Sequence, residues 1–192
     1  PWKISGSVFS EMRSTLVEVT TDDGVKGYGE CLTRAGGEAM QAIVHATLRP
    51  VLLGQDVWDV DMLWEQMFAT MKTKGHSKGF MIEAISGAEI AIWDALGKCV
   101  GQPVSKLLGG TYRTRVQAYA SSLLFKDPQV LVEEAKGLVS QGFRGVKLKV
   151  GQGIETDLRN VRAIRDAIGD DVSLYLDANS GFDPASAIVL GK

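Results

Sequence analysis

Cysteine is scarce in this 192-residue chain, with two residues, Cys31 and Cys99, that lack CxxC spacing. A disulfide framework is excluded, and both read as reduced thiols of a cytoplasmic protein. Charge of either sign is not in excess, since 21 Lys and Arg stand against 23 Asp and Glu. The basic residues are scattered, without a tract or aromatic interleaving, so nucleic acid is not expected as a partner. No apolar run approaches the roughly 18 residues of a membrane span, and Pro1-Trp2-Lys3 does not open a signal peptide, so no membrane partner is expected either. Apolar material is plentiful, at 45% hydrophobic residues. That suffices for a sizeable core in one or two domains.

Residues 145–182 carry the most information. Val146, Leu148 and Val150 alternate with Lys147 and Lys149, so at the two-residue period of a strand both ammonium groups share one face. The pattern returns at 172–179, where Leu174, Leu176 and Ala178 take one face and Tyr175, Asp177 and Asn179 the other. Between them Leu158, Val161, Ile164 and Ile168 fall near helical spacing, ended by Gly169. This predicts a βαβ unit whose two strands aim polar pairs at one place. In a parallel barrel such residues face the interior near the strand C-terminal ends, where catalytic groups sit. On an ordinary sheet the same lysines would lie on a wet face.

Earlier in the chain, residues 15–20 and 25–30 predict a hairpin closed by Thr21-Asp22-Asp23-Gly24. Gly27 and Gly29 thin its second strand, which fits close approach of backbone or ligand, or plain tight packing. Gly36-Gly37 opens a helix that Pro50 is expected to stop near Arg49. His45 on that helix reads as structural. Val60, Leu63, Met67, Phe68 and Met71 predict a second helix over 58–72. The polar loop 74–79 contains His76, a candidate substrate contact if the loop acts as a lid. Residues 80–100 predict a helix buried on more than one side, the spine of a first domain that ends at Gly109-Gly110. Thereafter strand and helix alternate, with strands starting near 116, 145 and 172 as in (β/α) repeats. Asp127-Pro128 caps the first helix, which Gly142 stops, and Asp183-Pro184 opens the last.

These segments together resemble a known family. Thr21-Asp22-Asp23-Gly24-Val25-Lys26-Gly27-Tyr28-Gly29-Glu30, Ala91-Ile92-Trp93-Asp94-Ala95-Leu96-Gly97-Lys98, Leu107-Leu108-Gly109-Gly110, the Lys147-Leu148-Lys149 strand and Asp177-Ala178-Asn179 look like the enolase superfamily, in its mandelate racemase and muconate lactonizing enzyme branch. Val116-Gln117-Ala118-Tyr119 and Val161-Arg162-Ala163-Ile164-Arg165 lean toward the mandelate racemase side. The fold this implies is α/β, with an α+β N-terminal capping domain over 1–110 and the first part of a (β/α) barrel over 111–192. A complete barrel needs about 250 residues, so an incomplete TIM-type barrel is expected, in a partial chain. The cap is expected to lack its first strand, because no strand is legible ahead of Ile4.

The resemblance implies Mg²⁺-dependent abstraction of the proton α to a carboxylate, through an enediolate, with dehydration or racemisation of a hydroxy acid or acid sugar. Lys149 would be the base. Lys147 would lower its pKa and touch the substrate carboxylate. Asp177 would be a metal ligand, Asn179 a substrate or supporting contact, and Ser121 a substrate contact by its place at the end of the first barrel strand. If Arg13, His76 and the loop 33–37 of the cap contact substrate, replacing them should alter which acid is turned over more than metal binding. A homo-oligomer is expected. The chemistry is coherent, because two ammonium groups one pleat repeat apart disfavour each other's charge, which a lysine base requires. A hard cation on the carboxylate supplies the stabilisation that so weak a carbon acid needs. A Lys base with Mg²⁺ is the known pattern of enolase-superfamily sites. A cycloisomerase, or an amino-acid or dipeptide epimerase of the same superfamily, is the enzymatic alternative. A non-catalytic anion-binding barrel and a Schiff-base aldolase are alternatives of other kinds.

Overall fold

A computed structural model describes residues 2–4, 7–33 and 36–191. Two compact units result, one of residues 12–112 and one of residues 113–192 together with 1–11. In the latter, Trp2–Ile4 (β1) and Ser7–Phe9 (β2) pair antiparallel, Ile4 opposite Ser7. This strand pair lies in a stretch where no strand is legible in the sequence, and it groups with residues 113–192 rather than with residues 12–112. Three residues are too few to display a period-2 pattern, and only the partner strand reveals them.

Within residues 12–112, Thr15–Thr20 (β3) and Lys26–Cys31 (β4) form the expected hairpin, with Thr15 opposite Cys31 and Thr20 opposite Lys26. At the turn the Thr21 hydroxyl accepts from the Val25 N–H at 3.0 Å, and Gly24 takes a φ of 86° that a side chain would resist. On β4 the residues that point inward are Gly27, Gly29 and Cys31, all buried. What fills the space left by the two glycines is the backbone of a helix, Phe80–Cys99, and no ligand is needed to explain them. A Cβ at Gly27 would lie 2.1 Å from the Ala91 carbonyl oxygen, and one at Gly29 would lie 2.0 Å from that of Gly87. The helix answers with small residues of its own, Ala84, Gly87, Ala88, Ala91 and Ala95, all buried.

The helices of this unit are Gly37–Ile43 (α1), Arg49–Leu52 (α2), Val60–Lys72 (α3), the long Phe80–Cys99 (α4) and Val104–Leu107 (α5). A π-helical turn, Val44–Leu48, joins α1 to α2. Pro50 therefore does not stop the helix near Arg49. It sits in the first turn of α2, where a missing N–H costs little, and the wider π turn before it re-spaces the backbone bonds. His45 is exposed on this segment. Met40, Leu48, Leu63, Met67 and Ile85 complete a core with α4 at its centre.

In the second unit, Ala120–Leu123 (β5), Gly145–Lys149 (β6) and Ser173–Asp177 (β7) form a parallel sheet in the order β5-β6-β7. Pro128–Ser140 (α6), Ile154–Ile168 (α7) and Pro184–Leu190 (α8) alternate with them. The first strand is shorter than expected. Pairing begins only at Ala120 opposite Val146, and Val116 ahead of it is exposed. Asp127 caps α6 by accepting from the Gln129 N–H at 2.9 Å, and Asp183 caps α8 through the Ser186 N–H at 2.8 Å. Leu123, Leu131, Val146, Leu148 and Ile164 are fully buried between sheet and helices. Each such side chain contributes about 1.5–3 kcal/mol of transfer free energy.

Candidate active site

Strand β6 has two faces of opposite character. Val146 and Leu148 are buried against the helices, so the alternation sends Lys147 and Lys149 to the other side, with side chains 20% and 13% exposed. The register of β7 places Asp177 directly opposite Lys149 and Tyr175 opposite Lys147. The charges meet as a result. Lys149 Nζ donates to Asp177 Oδ2 at 2.6 Å and to Asn179 Oδ1 at 2.6 Å, while Lys147 Nζ reaches the same Asp177 oxygen at 3.0 Å. Asp177 Oδ1 accepts from the Asn179 N–H at 2.9 Å, an Asx turn at the strand end. Asn179 and Ser180 hold φ values of 44° and 62°. The left-handed backbone at Asn179 turns the chain so that its amide oxygen comes back to Lys149.

The Asp177 carboxyl is held well below the usual carboxylate range, first by the Lys149 ammonium, then by the Asn179 N–H and the Lys147 ammonium, against the opposing effect of burial. It is a carboxylate at any neutral pH, and a hard oxygen donor. Among the described residues no group of three or more His, Cys, Asp or Glu side chains could hold a metal ion. Asp177 suits a small divalent cation in kind, as one of the one or two carboxylates that such a cation takes beside its waters.

The remaining expected site residues are dispersed. Ser121 lies on β5, exposed, inside an irregular stretch between Ala120 opposite Val146 and Leu123 opposite Leu148. Its neighbour Ser122 buries a hydroxyl with no hydrogen-bond partner among the described residues. His76 belongs to the other unit, exposed in the loop between α3 and α4, and its N–H donates to the Met71 carbonyl at 3.2 Å. Arg13 of that unit approaches Glu38 at 3.5 Å with both side chains open to solvent. Residues 34 and 35 of the loop 33–37 lie outside the described residues.

Two features of the site went unread in the sequence. Tyr119 and Tyr175 place their ring centroids 4.9 Å apart beside Gly145, and Lys147 Nζ lies 5.9 Å from the centre of the Tyr119 ring. Asp157 is buried in the first turn of α7 and accepts from the N–H groups of Gly151, Gln152 and Gly153, at 2.8, 3.1 and 3.3 Å. It ties down the loop that leaves β6 just after Lys149. Apolar spacing alone could not have found it, since it selects Leu158 as the inward residue next door. A shallow cleft of about 370 Å³ lies elsewhere, in residues 12–112, lined by Trp58, Asp59, Asp61, Trp93 and Leu107. Its lining carries carboxylates and no cation, unlike the β6–β7 face, where lysines and a carboxylate meet.

Residues 1–109 match the N-terminal domain of the mandelate racemase / muconate lactonizing enzyme family. The chain belongs to that family. Residues 130–192 match the enolase C-terminal domain-like family, so the two units carry the N-terminal domain and part of the barrel of an enolase-superfamily member. D-galactarolactone cycloisomerase of Agrobacterium fabrum is 37% identical over an alignment of 195 residues that covers 100% of this chain and 50% of that protein. Arabinonate dehydratase of Saccharolobus solfataricus is 35% identical, with 98% of this chain and 51% of that protein covered. Among solved structures, a racemase from Streptomyces coelicolor with bound magnesium superposes with a TM-score of 0.84 at 32% identity, over 91% of this chain and 53% of that one. The chain spans about half the length of the curated relatives it matches. Family members are thus enzymes of at least three reaction types, cycloisomerases, dehydratases and racemases.

Proposed function

We propose that the protein removes the proton α to the carboxylate of a hydroxy acid or acid sugar, with Lys149 as the base, as part of a dehydration or a racemisation. The observation that carries this reading is the meeting of two lysines from one strand with a carboxylate from the next, on the face that the helices do not cover. In the reaction the substrate Cα–H bond breaks and the proton moves to Lys149 Nζ, whose lone pair accepts it. The electron pair moves into the substrate carboxylate, making it an enediolate. Lys147 stands one pleat repeat away, where its ammonium can pair with that carboxylate and favours the doubly charged form that proton loss creates. Asn179 orients the Lys149 amine through its amide oxygen, and Ser121 and His76 are further substrate contacts in this reading. Asp177 is the residue that would hold Mg²⁺. When bound, a divalent cation supplies positive charge to the substrate oxygens where negative charge gathers.

A dehydratase would then expel the β-hydroxyl as water, protonated by an acid group, and a racemase would deliver a proton to the opposite face from a second acid. A cycloisomerase uses the same first step, and the 37% identity to D-galactarolactone cycloisomerase favours it as the second reading. Residues 1–110 act as the cap in either case, and the two free cysteines are in keeping with a cytoplasmic setting. The test is exchange of the substrate α-proton with solvent deuterium, over a panel of aldonic and aldaric acids with Mg²⁺ present. Lys149→Ala is expected to lose roughly a thousandfold or more of the exchange. Full exchange in that variant, or loss in Lys147→Ala alone, overturns the assignment. An anion-binding barrel without catalysis would exchange no acid of the panel.

A further inference from the structure

Lys147 has an ion-pair partner above it, Asp177, and something different below. Gly145, one pleat repeat earlier on the same face of β6, has no side chain. The space is taken from both sides, since a Cβ there would lie 3.0 Å from Tyr175 Cε2 and 3.1 Å from Tyr119 Cβ. Through that gap the two rings, from β7 and from the segment entering β5, meet with centroids 4.9 Å apart and planes inclined at 46°. The separation falls within the roughly 4.5–7 Å over which aromatic rings attract each other. The Tyr119 ring then lies 5.9 Å from the Lys147 ammonium, within the roughly 6 Å over which a ring face attracts a cation.

We propose that Tyr119, braced by Tyr175 in the gap at Gly145, is a positioning residue that seats the Lys147 ammonium from below. The inference rests on the reading of Lys147 as the group that meets the substrate carboxylate. A lysine carries four rotatable side-chain bonds, and an ion pair to one carboxylate oxygen restrains only its tip. If Asp177 turns to a cation, that restraint loosens, whereas the aromatic seat stays. The seat is apolar and carries no charge of its own. It thus restrains the ammonium without competing with a substrate anion for it, which a second carboxylate would do.

The test uses the intact protein and two measurements. In protein labelled with ¹³C-lysine, the Lys147 ε-methylene resonance, assigned by its absence in Lys147→Arg, is expected upfield of the other lysines because it lies over a ring. Tyr119→Phe keeps the ring and should keep that shift, and Tyr119→Leu should lose it. In turnover of whichever acid of the panel is processed, Tyr119→Leu is expected to raise KM roughly two- to thirtyfold and Tyr119→Phe to restore the parent value. Combined with Lys147→Met, Tyr119→Leu should add nothing further, since its effect passes through Lys147. An ordinary Lys147 resonance in the parent, an unchanged one in Tyr119→Leu, or additive effects in the double variant would overturn the proposal. Normal turnover in Lys147→Met would instead overturn the reading of Lys147 itself, while leaving the resonance test of the seat intact.

Discussion

Two aspartates, one in each unit, have nearly the same partners. Asp94 on α4 accepts from the Tyr28 N–H at 2.8 Å and from Lys98 Nζ at 2.6 Å. Asp177 accepts from the Asn179 N–H at 2.9 Å and from Lys149 Nζ at 2.6 Å. Both carboxyls are held below the ordinary range, Asp94 first by Lys98 and Asp177 first by Lys149. Yet Lys98 also donates to the Lys26 carbonyl at 2.8 Å and lies over the Tyr28 ring, so the cluster clips helix α4 to strand β4 and all its groups are committed. Asp177 gathers a second ammonium, Lys147, and every partner comes from β6 or from the turn after β7, on one open face. A short contact between lysine and aspartate does not by itself mark chemistry. The useful signs are two like charges brought together and a backbone that does not need them for its own closure.

The sharpest way to break this contrast is to test whether residues 12–112 are organised by packing alone. In Gly29→Ala the new methyl would start 2.0 Å from the Gly87 carbonyl oxygen, so α4 must move off the sheet. A loss of about 3 kcal/mol or more is expected in urea unfolding. A loss under about 1 kcal/mol would mean that the close approach is slack.

Acid should separate the aspartates next. A carboxylate with a depressed folded pKa stabilises the fold fully above its unfolded value of about 3.9 and loses that contribution as pH falls toward the folded value. The melting temperature of the parent should therefore drop as pH is lowered below about 4. In Asp177→Asn it should start lower at neutral pH, where two ammonium groups face each other unneutralised, and converge on the parent in acid. Parallel curves for the two proteins would show that the ionisation of Asp177 contributes nothing to the stability.

The smallest effect is expected at the clip. The Lys98 and Asp94 side chains are 45% and 35% exposed, so solvent screens the pair, and Lys98→Met should cost only about 0.5 kcal/mol. Its α-proton exchange should equal that of the parent, and any large loss there would erase the distinction drawn between the two lysine–aspartate pairs.

The β6–β7 face was legible in the sequence because Lys147, Lys149, Asp177 and Asn179 ride on the period-2 alternation of strands buried on one side. The hairpin at 15–31 and helices α3, α4 and α6 were legible for similar reasons, as periodic segments bounded by Gly, Pro or Asp. Other features depended on partners that a linear reading does not contain. Strand β1 is defined only by β2, and the stretch 116–119 is left out of β5 because the ladder starts later. Pro50 reads as a stop unless the π turn before it is known. Tyr119 and Tyr175 meet only once strand register and the gap at Gly145 are set, and Asp157 is hidden by any method that looks for apolar faces.

Asp157 also limits how this part of the chain can vary. One carboxylate in the first turn of α7 receives three successive N–H groups from a loop only six residues upstream at its far end. Adding or removing a single residue between Gly151 and Asp157 would rotate the helix start and leave a buried acid facing too few donors. An insertion or deletion in this connection is therefore expected to destabilise the second unit, which urea unfolding of the variant would measure. The strand end that bears Lys149 and the helix that follows it are in this sense fastened by a single side chain.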